Sequence, residues 1–220
     1  MARGFSCLIV GQGSLPVQCG ELLSSRGHEI RGAACLNDFF HAWAQARCLR
    51  CTGPDGDLRA FVAAEPFDVL FSIVNPRVLP PEVLAAPRRL AVNYHDALLP
   101  RYAGVHATSW ALLARESVHG VTWHAMTGQV DGGDILRQRE VPVAPDETAL
   151  TLNLKCHEAA LAAFAELLED LEEGRLARTP QDLSRRTFFS RRRLVTLRKR
   201  DEGTTLGDVG IIRAPAAAGA

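Results

Sequence analysis

The chain has 220 residues, 47% hydrophobic and 23% charged, which suits one sizeable α/β domain or a domain with a short appendage. Its 25 Lys and Arg balance 25 Asp and Glu, so no global field draws it to nucleic acid or a membrane surface. No apolar run approaches the ~20 residues of a bilayer span, and six cysteines without framework spacing fit a reducing, cytoplasmic setting better than secretion.

Phe5 to Val10 is apolar and reads as a first β-strand; Gly11 interrupts it too soon for a signal peptide. The turn Gly11-Gln12-Gly13-Ser14 and a helix over Val17 to Ser25 complete a strand–turn–helix unit. His28 to Cys35 forms a second strand, and a helix over Asn37 to Arg47 takes Asn37 as its cap. Asp57 to Ala64 reads as a helix, Asp68 to Val74 and Leu90 to Tyr94 as buried strands, and Ala107 to Arg115 as a helix. Gly120 to Met126 and Ile135 to Val143 are strands with no helix between them, so part of the sheet is antiparallel. A long amphipathic helix starts at Asp146-Glu147-Thr148 and ends at Gly174. Strands alternating with helices predict an α/β fold, an open, mostly parallel, twisted Rossmann-like sheet with helices on both faces. Residues 1–178 are expected to form the folded domain, 179–205 a basic extension and 206–220 a disordered tail. Between Ser184 and Arg200 stand eight Arg or Lys and no acid; a solvated tail and a partner-binding surface both fit.

Asn93 and His95 stand at i and i+2 at the end of an apolar strand, which puts an amide and an imidazole on one face. Asp131 follows in Val130-Asp131-Gly132-Gly133; alone it would be a turn residue, but beside His95 it has a chemical use. An amide donor, a titratable ring and a carboxylate at one sheet mouth suit acyl transfer, because together they hold an oxyanion and move a proton near neutral pH. The Gly11–Ser14 turn is no dinucleotide fingerprint, since Pro16 stands where a third glycine is wanted. It fits a plain tight turn or an anion-binding helix start. Cys48-Leu49-Arg50-Cys51 lacks two further zinc ligands at a recognised spacing, and no His-Glu-x-x-His helix exists, so no metal is expected.

These motifs resemble the formyltransferases that use 10-formyltetrahydrofolate, from about Asp68 to Gly174 and more weakly back to Phe5. The matching residues are Asn93, His95, Leu98, Leu99, Pro100, Gly104, Asp131 and Gly133. The resemblance implies the formyltransferase fold, with Asn93, His95 and Asp131 as catalytic residues and 10-formyltetrahydrofolate as co-substrate. It implies that Arg77, Val78 and Leu79, with Met126, Thr127, Gly128, Gln129, Val130 and Gly133, hold the folate. His124 matches a histidine of glycinamide ribonucleotide formyltransferases, and Gly11, Gly13, Ser14, Asp96 and His124 are candidate acceptor contacts. The chain departs from the family at Asp96, where Pro is usual, and at Ala97, where Ser is common.

Within the resemblance the acceptor separates members. The stretch after Gly174 is too short for the tRNA-contacting barrel of methionyl-tRNA formyltransferase, and the regulatory N-terminal domain of the formyltetrahydrofolate hydrolase is not seen. Gly11-Gln12-Gly13-Ser14-Leu15, Arg26 to Gly32, Asn93 to Gly104 and Thr187-Phe188-Phe189 are most similar to formyltransferase-like domains of nonribosomal peptide synthetases. That similarity implies a primary amine of a biosynthetic intermediate, a free small amine or an aminoacyl group on a carrier protein. Glycinamide ribonucleotide, a nucleotide-linked amino sugar, hydrolysis, or a non-catalytic docking domain are the alternatives. Nothing in the sequence sets the oligomeric state.

Overall fold

The computed structural model describes residues 4–191. The central strands are β1 (Ser6–Gly11), β4 (Val69–Ile73) and β5 (Leu90–His95), parallel and paired in that order. Outside β1 lie β2 (Glu29–Cys35) and the two-residue edge strand β3 (Cys51–Thr52), both parallel. On the other side β7 (Val118–Ala125) and β8 (Ile135–Pro142) complete a seven-stranded sheet; β8 runs antiparallel to β7, as the missing helix between them required, and β7 runs antiparallel to β5 although a helix lies between those two.

The strands read as unbroken apolar runs because both faces are covered. Cys7 and Ile9 of β1 face α1 (Ser14–Ser25), α2 (Asp38–Ala46) and α6 (Ala149–Glu173). Leu8 and Val10 face α3 (Leu58–Ala63) and the short α4 (Pro81–Leu84). Local chemistry sets the helix ends. Asn37 accepts from Phe40 N and Asp57 from Ala60 N. Thr148 and Thr151 form a reciprocal cap, and Gly174 stops α6 in the left-handed region. Helix α6 therefore starts three residues after the predicted acidic turn, and α1 three before Val17, with Pro16 tolerated in its first turn. A second, two-strand sheet pairs β6 (Ala103–Gly104) with β9 (Phe188–Phe189), next to α5 (Ala107–Leu113). The basic segment thus begins on the body of the domain. The rest of the predicted extension, and all of residues 206–220, lie outside the described residues.

Trp123 is the largest fully buried side chain; its indole N–H donates to Ala160 O and its ring meets Phe164 at 4.8 Å between centroids. Trp123→Ala is expected to cost about 3–5 kcal/mol in urea denaturation, from lost burial plus the cavity left between β7 and α6. Buried His28 stacks on Phe5 at 3.9 Å, accepts from Phe5 N at Nδ1 and donates from Nε2 to Glu172. Burial pushes its pKa below the ordinary 6.5, against the pull of Glu172. The neutral ring is favoured by the fold, so the unfolded chain takes the proton first as pH falls. The denaturation midpoint should drop between pH ~7.5 and ~5.5, and His28→Gln should flatten that slope.

Candidate active site

The strand order reverses beside β1, and the carboxyl ends of β1, β4 and β5 open there into a cleft of about 890 Å³. Gly11 ends β1 so close to β4 that a Cβ would lie 2.1 Å from Ile73 O; only glycine lets the two strands converge under the cleft. From one face of the sheet Leu79, Leu84 and Met126 line the cleft, and from the other Leu15 of α1 with Asn153 and His157 of α6.

Asn93, His95, His124 and Asp131 meet at the centre. Asn93 and His95 share one face of β5, and Asn93 is the cross-strand partner of His124 on β7. Asp131 sits in the loop after β7 with φ 51°, and its side chain is 8% exposed. Its Oδ2 accepts from Gly104 N at 2.8 Å and lies 3.7 Å from His95 Nδ1, while Oδ1 lies 3.5 Å from His124 Nε2. Burial alone would raise the Asp131 carboxyl, but His124, His95 and the Gly104 N–H outweigh it and bring it down to about 2. The carboxylate is therefore ionised at neutral pH.

The hydrogen bonds assign the ring protons. His95 Nε2 lies 2.8 Å from Tyr102 O, so it donates there and turns Nδ1 towards Asp131 Oδ2 and, at 4.0 Å, Asp96 Oδ1. His124 Nδ1 donates to Ala125 O at 2.9 Å and leaves Nε2 to accept from Asn93 Nδ2 at 3.1 Å. The second Asn93 amide hydrogen goes to Tyr94 O at 2.9 Å. Sequence reasoning treated Asn93 as a ready donor; in the structure both of its hydrogens have protein acceptors.

Among the predicted folate contacts, Arg77, Val78, Leu79, Met126, Thr127, Gly128, Gln129 and Val130 all line the cleft. Gly133 does not. It packs against the Ala125 carbonyl, where a Cβ would lie 1.9 Å away. Arg77 turns its guanidinium to Pro54 O at 2.5 Å. Asp96 and His124 line the cleft, but Gly11, Gly13 and Ser14 do not; their neighbours Gln12 and Leu15 do. Gly13 N is instead bonded to Asn37 Oδ1, the reading of that turn as structural. Ala97 is fully buried with its carbonyl on Thr122 Oγ1, away from the cleft lining. Sequence reasoning missed Gln12, Asn153, His157, His106 and the stretch Phe188 to Arg191. Asn153 and His157 had a signal, an i, i+4 polar pair on the long amphipathic helix. Cys48 is exposed and Cys51 half-buried, and among the described residues no group of three or more His, Cys, Asp or Glu is placed to hold a metal ion.

The fold is that of several solved formyltransferases. A sugar 3N-formyltransferase, WlaRD, crystallised with dTDP and 5-N-formyl-THF, superposes with a TM-score of 0.75 at 18% identity, over 87% of this chain and 71% of that one. An N-formyltransferase from Helicobacter canadensis, in complex with folinic acid and dTDP-3-aminofucose, gives 0.73 at 20% identity over 84% and 71%. HypX from Aquifex aeolicus, with tetrahydrofolic acid, gives 0.65 at 19% over 86% and 30%. The family model described as formyl transferase matches residues 54–168, a span that includes Asn93, His95, His124 and Asp131. The chain belongs to the formyl transferase family.

Proposed function

We propose that this cleft transfers a formyl group from 10-formyltetrahydrofolate to a primary amine, with Asn93, His95 and Asp131 as the catalytic residues. The observation that carries the reading is the convergence of these three side chains, with His124, on one space from β5, β7 and the following loop. The apolar floor of Leu79, Leu84 and Met126, under the loops 74–79 and 126–130, suits the flat pteridine ring. Formyl-folate ligands in two fold relatives support that donor.

The chemistry follows from the groups present. A neutral amine attacks the formyl carbon, the new C–N bond forms as the bond to the folate nitrogen breaks, and one proton passes from the amine to that nitrogen. Charge grows meanwhile on the formyl oxygen. His95 donates to that oxygen from Nδ1, which lies 3.7 Å from Asp131 Oδ2 and 4.0 Å from Asp96 Oδ1. Asn93 turns one hydrogen to the same oxygen when the formyl group displaces its 3.1 Å contact with His124 Nε2. Asp131, ionised throughout, balances the rings and orients a water that carries the proton from the amine to the folate nitrogen. Asp96, 32% exposed, lies beside the reacting centre and suits the incoming ammonium before it loses its proton.

The acceptor is a biosynthetic amine. Among the described residues Gln12, Leu15, Asp96, Asn153 and His157 line its α1 and α6 side, with one carboxylate, while Arg77 and Arg191 line the cleft beside Pro76. That lining suits an aminoacyl group, free or on a carrier protein, as in peptide natural-product assembly. The second reading, a nucleotide-linked amino sugar, is favoured by the dTDP-containing fold relatives. The test offers 10-formyltetrahydrofolate with an aminoacyl thioester, a dTDP-amino sugar and glycinamide ribonucleotide, and follows formamide by mass spectrometry. Formylation of the aminoacyl thioester supports the first acceptor and formylation of the sugar the second. Tetrahydrofolate release without any amine identifies a hydrolase, and no turnover at all overturns the enzyme reading.

A further inference from the structure

The chain after α6 does more than leave the domain. Thr179 bridges Ile135 through two backbone bonds of 2.8 and 2.9 Å, which delivers Gln181 to the back of the Asp131 loop. Gln181 Nε2 donates to Asp131 O at 3.0 Å and to Gly133 O at 2.6 Å. Arg186 Nη2 donates to Val130 O at 2.7 Å, a third hold on the same loop. Asp131 has its backbone in the left-handed region, which a non-glycine residue keeps only when its surroundings impose it.

The same strap grips the opposite side of the site. Tyr102 N donates to Thr187 Oγ1 at 2.7 Å, and Val105 N to Phe189 O at 2.9 Å. Between them lie Tyr102 O, the acceptor of the His95 Nε2 proton, and Gly104 N, the donor to Asp131 Oδ2. Gly104, at φ 103°, runs so close to the strap that a Cβ would sit 2.2 Å from Phe189 O. Residues 179–189 therefore tie the carboxylate loop and the segment that orients His95 into one frame. All of them lie beyond the span matched by the family model.

We infer that Gln181 is a positioning residue for formyl transfer: its side-chain amide, spread over the carbonyls of residues 131 and 133, sets the distance between the Asp131 carboxylate and His95. The inference rests on the catalytic reading of Asp131 and His95. Gln181 touches neither substrate nor reacting atoms; its effect passes through the loop backbone. A displacement of about 1 Å at such a group costs up to roughly 100-fold in rate.

The experiment compares wild type, Gln181→Met, Gln181→Glu and Asp131→Asn in the formyl-transfer assay across pH. Gln181→Met, close in length but without donors, should lower kcat about 10- to 100-fold and leave KM for 10-formyltetrahydrofolate within about threefold. Gln181→Glu turns an anion on two carbonyl oxygens and regains a donor only when protonated. Its kcat relative to wild type should rise as pH falls, while the Met variant keeps the wild-type profile. A merely structural role moves thermal stability and leaves both profiles alike. A Met variant with kcat within about twofold of wild type, or a Glu variant with the wild-type profile, overturns the inference. If Gln181→Met does not fold, Arg186→Met replaces it: a fall in kcat at unchanged KM supports the positioning strap, and unchanged kcat overturns it. Full activity in Asp131→Asn sinks the catalytic reading itself, a result separate from any Gln181 outcome.

Discussion

Asp131→Asn is expected to lower kcat for formyl transfer by about 10³-fold while folate binding stays within about threefold of wild type. The substitution keeps the shape, and the Asn oxygen can still accept from Gly104 N, so the loop holds its course. What disappears is the charge that faces His95 Nδ1 at 3.7 Å and His124 Nε2 at 3.5 Å. Without it a protonated His95 has only Asp96, more exposed and 4.0 Å away, to balance it. The water that carries the amine proton loses its orienting anion at the same stroke. Because the carboxyl is held down at about 2, Asp131 is ionised from about pH 4 upward and contributes no limb to the pH–rate profile there. The checks are steady-state kinetics at saturating folate and titration calorimetry with tetrahydrofolate. A variant that retains full kcat would remove Asp131 from the chemistry.

Asn93→Leu is expected to lower kcat by about 10²- to 10³-fold, the usual cost of one lost oxyanion donor. Leu keeps the branched shape and heavy-atom count of Asn on β5, so the strand pairing with β4 and β7 persists. The loss has two parts. The formyl oxygen forfeits its amide donor, and His124 Nε2 and Tyr94 O lose a partner. The second part predicts coupling, since Asn93, His124 and Asp131 share one hydrogen-bonded unit. Asn93→Leu with Asp131→Asn should cost less than the product of the single effects, because either change alone already disables that unit. Multiplicative effects would mean that the two residues act independently, which the shared His124 contact does not allow.

The centre of the site was legible in the sequence because its signals are local. Asn93 and His95 alternate with apolar neighbours at a strand end, and Asp131 sits in an Asp-Gly-Gly turn that a period-2 or turn reading finds directly. The long elements followed for the same reason, with Asn37, Asp57 and Gly174 marking helix ends by their own side chains or backbone. The rest depends on partners far along the chain. Strands β3, β6 and β9 have two residues each and exist only through the strand they meet. Gln181 reaches its acceptors across 48 and 50 positions, and no local pattern marks that. The glycine turn had two readings open, a plain turn and a ligand contact. Gly11 meets β4 closely and Gly13 N meets Asn37 Oδ1, as a plain turn would have it, and the side chains that reach the cleft are Gln12 and Leu15. Asn93 shows a subtler limit, since its position was legible while the engagement of both amide hydrogens was not.

The most direct test follows an isotopic label from donor to product. Wild-type protein is mixed with 10-formyltetrahydrofolate carrying carbon-13 in the formyl group, an acceptor amine is added, and the formyl carbon is tracked by NMR in a single turnover. The label should leave the folate and appear as a formamide on the amine in step with tetrahydrofolate release, and Asp131→Asn should bind the folate yet leave the label on it. Label recovered as free formate with the amine untouched, or transferred equally fast by Asp131→Asn, would contradict the account.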